Sequence, residues 1–310
     1  PEQTLAPLPA ELRSVLAAQK SKNAARVVYL NVYGNHDLFD DIRSVKDARH
    51  LPDIVASLGF GFLFERGFRE RFVDTGIYES LSFSPPRQSL AESGVIDPEC
   101  HYTILAINPM VMVVDHTKIG KRPIPRKWAD ILEPEYERSV GVVGRDAFFN
   151  ETLSLTIYKE FGLPGIRKLR RAVAWAGHPA QMVKMAGKAH PDAPAISIID
   201  YFFAKMIRRQ DRISIVWPDE GALAIPFVAL AKTDRRKGVR AIASFLAGRK
   251  TARICADAYY YPVYSDVPIY LPESLKLNWL GWEYLKENDL EVLMDEIRGE
   301  PFSCLKGGRE

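Results

Sequence analysis

The sequence predicts an α/β protein of two lobes, each a mixed β-sheet flanked by helices. Three observations carry this. The chain has 310 residues, a length at which single cores divide in two. Short β-branched runs alternate with amphipathic stretches, the pattern of an open, largely parallel sheet. Two apolar runs, at 102–114 and 223–231, are long enough to leave one lobe and return to it.

Taken in order, residues 1–22 carry a short amphipathic pattern between a Pro-rich start and a polar end, and read as a leader or linker remnant. Val27 to Tyr33 is a buried strand that stops at Gly34-Asn35, and Asn35 or Asp37 can cap a helix running to Val45. A second strand, Asp53 to Ser57, ends in Gly59-Phe60-Gly61. Residues 102–114 form the first crossing strand. Val140 to Val143 is a further strand, followed by Gly144-Arg145-Asp146 and a helix from about Phe148 to Phe161. A second helix runs from Pro164 to about Trp175. Ala195 to Ile199 and Ile213 to Trp217 are strands, and Leu223 to Ala231 is the returning strand, interrupted by Pro226. Asp234 to Gly248 and Trp282 to Ile297 are amphipathic helices. This divides the chain into one lobe of residues 23–108 and 223–273, a second of 109–222, and carboxyl-terminal helices at 274–310 that brace the lobes.

Hydrophobic residues make up 47% and charged residues 26%, values that exclude a disordered or fibrous chain. Net charge is +3, from 42 basic and 39 acidic residues, and the basic runs are short and separate, so no nucleic-acid partner is expected. Cys100, Cys255 and Cys304 are far apart, form no CxxC pair and leave one thiol unpaired whatever the others do. No apolar run approaches the roughly 18 residues needed to cross a bilayer. The chain starts at Pro1 without a charged-then-apolar signal segment and reads as mature or trimmed.

Four segments resemble a known family: VYGNH at 32–36, PRKWADILEPEYERSVGVVG at 125–144, WPDEGALAIPFVALAK at 217–232, and AIASFLAGRKTARICADAYYYPVYSDV at 241–267. Pro125, Trp128, Asp130, Pro134 and Tyr136, then Gly221 and Ala222, keep the order and spacing of type II periplasmic solute-binding proteins of ABC importers, in their iron(III)-binding branch. The resemblance implies two lobes with a ligand cleft and hinge strands, closure around the ligand, and an extracytoplasmic monomer that delivers its solute to a membrane permease. It implies no catalysis and no cofactor.

In that branch ferric ion is held by a histidine, a glutamate and two adjacent tyrosinates, hard anionic donors for a hard cation. His36 matches the histidine and is the one metal candidate. The glutamate position falls near Leu58 and the tyrosine pair on Phe202-Phe203, whose phenyl rings cannot ligate iron; Tyr201 or Glu65 could substitute. The expected ligand is therefore a small anionic or partly aromatic solute. The residues expected around it are Asn35, His36 and Asp37, Gly59, Phe60 and Gly61, Arg145 and Asp146, and Tyr201 and Phe202. A helix opening at Gly144-Arg145-Asp146 would offer N–H groups and a guanidinium to a negative group.

Gly34-Asn35-His36-Asp37 also matches an element of metal-dependent phosphoesterases, but the accompanying Asp-x-His and Gly-His-x-His elements are missing, since Gly177-His178 leads into Pro179-Ala180. His178 and His190, each followed by proline, read as turn residues. A ligand sensor on the same fold is a further alternative.

Overall fold

Strands β1 (Val27–Leu30) and β2 (Ile54–Leu58) pair in parallel, and β2 then pairs antiparallel with the second half of β10 (Ala222–Lys232). The computed structural model describes residues 27–30, 42, 44–81, 85–145, 148–188, 190–233, 237–272 and 275–301. The 1–22 segment, the 34–37 element with Asn35, His36 and Asp37, and Asp146 lie outside them.

The described chain forms two units. One takes in residues through Ile107, Pro226–Tyr270 and Gly281–Leu290; the other comprises Asn108–Ile225, Leu271–Leu280 and the residues from Glu291. Both unit boundaries in the sheet fall inside long strands, β4 (Thr103–Asp115) and β10. Every residue of β4 after Thr103 is buried.

In the first unit, short strand β3 (Tyr78–Glu79) pairs with the end of β10, and β11 (Tyr261–Pro262) with the start of β4. A helix at Lys237–Leu246 covers this sheet. Val239, Ile242, Ala243 and Leu246 recur at the i, i+3, i+4, i+7 spacing that puts apolar groups on one face, and they pack on Ile54, Ala56, Leu105, Ala229 and Ala231. Fully burying each larger side chain is worth about 1.5–3 kcal/mol. The helix expected over 234–248 ends at Leu246, two residues earlier than expected. A second helix, Arg249–Asp257, follows with Gly248 at its N-cap, where the Cβ of any side chain would stand 2.6 Å from the Ser244 carbonyl oxygen.

In the second unit β4 pairs antiparallel with both β8 (Ile196–Asp200) and β9 (Ile213–Val216). On the other side of β8 lies β5 (Val140–Arg145), parallel to it, and then β7 (Val173–Gly177), parallel to β5. The order β9-β4-β8-β5-β7 thus has three adjacent parallel strands with their carboxyl ends on one edge. β5 also makes a hairpin with β6 (Phe148–Phe149), Gly144 opposite Phe149 and Arg145 opposite Phe148. The start of β10 pairs with β12 (Leu277–Asn278).

Two expectations are corrected in this unit. The helix after β5 does not open at Gly144-Arg145-Asp146; those first two residues belong to the strand, and the helix (α1, Glu151–Ala172) starts at Asn150, whose side chain accepts the Leu153 N–H. The backbone breaks within α1 at Gly162, with φ 59° and ψ −160°, ahead of Pro164. The helix also stops at Ala172 rather than near Trp175, because Val173 to Gly177 is drawn into the parallel ladder beside β5.

The carboxyl-terminal helix expected from Trp282 to Ile297 is two helices, α2 (Trp282–Glu287) and α3 (Leu290–Gly299). Asn288 ends the first, its backbone and side-chain nitrogens both donating to the Tyr284 carbonyl. The end of α2 is held in the first unit by Arg69, which donates to the Leu285 and Lys286 carbonyls, and by Arg66, which donates to that of Glu287. The end of α3 is held in the second unit by Arg170, which donates to the Ile297 and Glu300 carbonyls. Guanidinium groups at helix carboxyl termini satisfy the last carbonyls and oppose the dipole.

Candidate ligand site

In the second unit the carboxyl edge of the three parallel strands gathers residues that are far apart in sequence. β5 is the middle strand, with Val143 opposite Gly177 of β7, and Val142 opposite Ile198 of β8. Its end therefore lies between His178, which follows β7, and Asp200-Tyr201-Phe202-Phe203, which ends β8 and opens a short helix at Tyr201–Lys205. Ligands of open α/β sheets sit at this edge.

The start of α1 belongs to the same edge, because the Asn150 N–H donates to the Val143 carbonyl at 2.8 Å. The first N–H groups of a helix have no intrahelical acceptor, and this helix runs about three turns before its kink at Gly162. Asn150 satisfies the third of them.

Rings line the edge. His178 and Phe203 meet at 6.2 Å and 82°, Phe203 and Phe202 at 5.2 Å and 76°, and Tyr201 and Trp217 at 5.6 Å and 70°. His178 is exposed, Phe202 and Phe203 are partly buried, and Tyr201 is buried. The His178 ring is fixed from below: Nδ1 accepts the Ala180 N–H at 3.1 Å, while the His178 N–H donates to Gln181 Oε1 at 3.3 Å.

In the first unit, β2 ends at Leu58 and Gly59 turns the chain with φ 97°, its N–H donating to the Pro226 carbonyl at 2.8 Å. Phe60 is only 1% exposed, and its ring packs edge-on against Phe64 at 5.5 Å. It begins an aromatic core in which Phe64 stacks on Tyr102 at 4.9 Å, with Trp282 tilted against both. The expectation that the Phe60 ring faces a ligand is displaced by this packing. What the 59–61 loop can present is backbone.

A cavity of about 280 Å³ in the same unit is lined by Phe64, Tyr102, Trp282 and charged groups around Glu99. Its charges are matched internally. Glu99 pairs with Lys286 and lies 3.6 Å from His101; Arg69 pairs with Asp74; and Asp97 accepts the N–H groups of Glu99, His101 and Tyr102. It contains none of the residues expected from sequence. Among the described residues no group of three or more His, Cys, Asp or Glu side chains is arranged to hold a metal ion.

Sequence reasoning placed Arg145, Tyr201 and Phe202, and the structure brings their backbones to one edge. It passed over His178 as a turn residue. The usable signal was its place immediately after a strand, with Gln181 three residues on, but only the order β8-β5-β7 sets it beside Phe203.

The sequence profile described as bacterial extracellular solute-binding protein matches residues 49–288. No curated protein sequence matches the chain. Apo ferric ion-binding protein A of Pasteurella haemolytica has a similar structure, at a TM-score of 0.61 and 16% identity over 86% of this chain and 88% of that one. So does the Trichodesmium protein IdiA (FutA) in complex with iron and citrate, at 0.58 and 16%, over 84% and 87%. The periplasmic binding protein AfuA of Actinobacillus pleuropneumoniae, with exogenous fructose-6-phosphate bound, matches at 0.58 and 14%, over 84% and 85%.

Proposed function

This chain belongs to the bacterial extracellular solute-binding protein family, and from that membership we propose that it captures a small organic anion at the carboxyl edge of the second unit's sheet and delivers it to an ABC permease. Its place of work is extracytoplasmic and its role is binding rather than catalysis. The observation that carries the reading is the convergence of β5, β7 and β8 at one edge, with the start of α1 pinned there by the Asn150 to Val143 hydrogen bond.

Each part of that edge suits an anion with an organic body. The positive end of the long helix's dipole suits the charged end, and Arg145, the last residue of β5, is the side-chain donor expected from the sequence. The rings of Phe202 and Phe203 are apolar surface for the remainder. They supply no oxygen or nitrogen to a ferric ion. The fold neighbours described with fructose-6-phosphate and with iron and citrate support an anion as the class of ligand.

The test is a thermal-shift screen of organic phosphates, carboxylates, inorganic oxyanions and ferric salts, followed by calorimetry. A ligand at about 100 times its dissociation constant stabilises by about 2.7 kcal/mol, a readable rise in melting temperature. Arg145→Ala is expected to weaken an organic anion by about 1.5–3 kcal/mol, the worth of a charge-assisted hydrogen bond. Unchanged affinity removes Arg145 from the site. A response to ferric salts alone, with a visible tyrosinate charge-transfer band, would overturn the organic-anion reading.

A further inference from the structure

Resting on the anion-binding reading of this edge, we infer that His178 and Phe203 are its selectivity element, a fixed ring pair that accepts the planar body of a ring-bearing anion. The preferred class is an aromatic phosphate or carboxylate rather than an inorganic oxyanion or a bare metal ion.

Four observations lead there. First, the His178 ring is set by its own backbone: Nδ1 accepts the Ala180 N–H, so Nδ1 carries no proton and the ring proton sits on Nε2. The imidazole is thereby held at a fixed angle. Second, the pair is not a neighbour contact within one element. His178 follows β7 and Phe203 follows β8, and β5 lies between those strands, so their 6.2 Å contact spans the end of the strand that Arg145 terminates. Third, the edge-to-face geometry continues to Phe202, giving a row of three rings. Fourth, burial along the row falls off toward solvent: Phe202 and Phe203 are partly buried and His178 is exposed.

An edge of this kind sets the start of a long helix, favourable to negative charge, beside aromatic surface, a composition that suits organic molecules. Inorganic phosphate would answer the helix dipole and leave the rings uncovered. A metal ion would find no anionic oxygen on either phenylalanine. A planar ring bearing one charged group uses both, with its edge or face against the row at the geometry aromatic pairs prefer.

The experiment is isothermal calorimetry on the full chain with phenyl phosphate, benzoate and inorganic phosphate, for wild type, His178→Asn and Phe203→Leu. Asparagine retains an oxygen that can cap the helix start and removes the ring; leucine retains apolar volume and removes the ring. Wild type is expected to prefer phenyl phosphate to inorganic phosphate by about tenfold, the scale of a favourable ring contact. Each variant should shrink that preference to within about threefold while its melting temperature stays within about 2 °C of wild type. Should His178→Asn melt lower, Phe203→Leu decides alone. Equal affinity for phenyl and inorganic phosphate, or a preference untouched in both variants, overturns the ring pair and leaves the anion site standing. No binding of any of the three anions at millimolar concentration overturns the site itself.

Discussion

Gly221→Ala is expected to cost far more than an ordinary glycine substitution. Gly221 has φ 113°, a backbone conformation that side-chain-bearing residues rarely adopt. A Cβ there would stand 2.8 Å from each of Asn278 N, Leu277 C and Lys276 C. All three are backbone atoms of the segment forming β12, so no side chain can rotate away. Relief requires moving a strand held by the Ala222 N–H to Lys276 carbonyl bond at 3.0 Å and by Trp217 Nε1 donating to the same carbonyl at 2.7 Å. Gly221 is also the acceptor for the fully buried Trp128, whose Nε1 donates to its carbonyl at 2.9 Å. Strain at such a φ is about 1–3 kcal/mol and overpacking a further 1–3 kcal/mol or so. Gly120→Ala is the control, because Gly120 has φ 66° with nothing within 4 Å of an added Cβ, leaving a penalty of about 1–2 kcal/mol. Guanidinium unfolding followed by circular dichroism measures the difference, which should be about 2 kcal/mol or more. Equal losses in the two variants would refute the backbone-overlap account.

Three further outcomes follow from side-chain environments. Cys255 is buried, which pushes its thiol up to about 12, whereas Cys100 is exposed; a disulfide-exchange reagent at pH 8 should modify Cys100 promptly and Cys255 only after denaturation. Arg167 holds the Glu300 carboxyl below its usual range through hydrogen bonds at 2.8 and 2.9 Å. A depressed carboxylate stabilises above its unfolded pKa and loses that contribution as pH falls through the folded value. The melting temperature of Glu300→Gln should therefore trail wild type at pH 7 and converge with it as pH drops below about 4; a constant gap would show that the charge is irrelevant. Trp128→Phe should cost about 1–3 kcal/mol, because the Gly221 carbonyl loses its buried donor, and unchanged stability would remove that bond from the account.

The crossing strands were legible because nothing but a fully buried strand explains runs such as Thr103 to Val114, and helix Lys237–Leu246 because its apolar spacing is unambiguous. The first three residues of β7, Val173 to Trp175, were read as the end of a helix; a run as short as β7 has no decisive period, and its identity comes from pairing with β5. Gly144-Arg145 imitates a helix start, yet the strand continues through it, so the cap falls to Asn150. The Phe202-Phe203 pair could be placed at a strand end from sequence alone. His178 could not be joined to it, since strands β7 and β8 are separated by a third whose position only the ladder reveals.

Neither unit is a continuous stretch of chain, and this has a consequence for biosynthesis. β2 takes its antiparallel neighbour from Phe227–Ala231, which the ribosome makes only after every strand from β5 to β9 of the other unit. At about 5–20 residues per second, β2 waits on the order of ten seconds for the partner that covers its edge. In that interval the nascent chain displays an unpaired apolar strand edge, a template for pairing with other chains, so the yield of this protein should depend more on what shields the emerging β2 than on the stability of the finished fold.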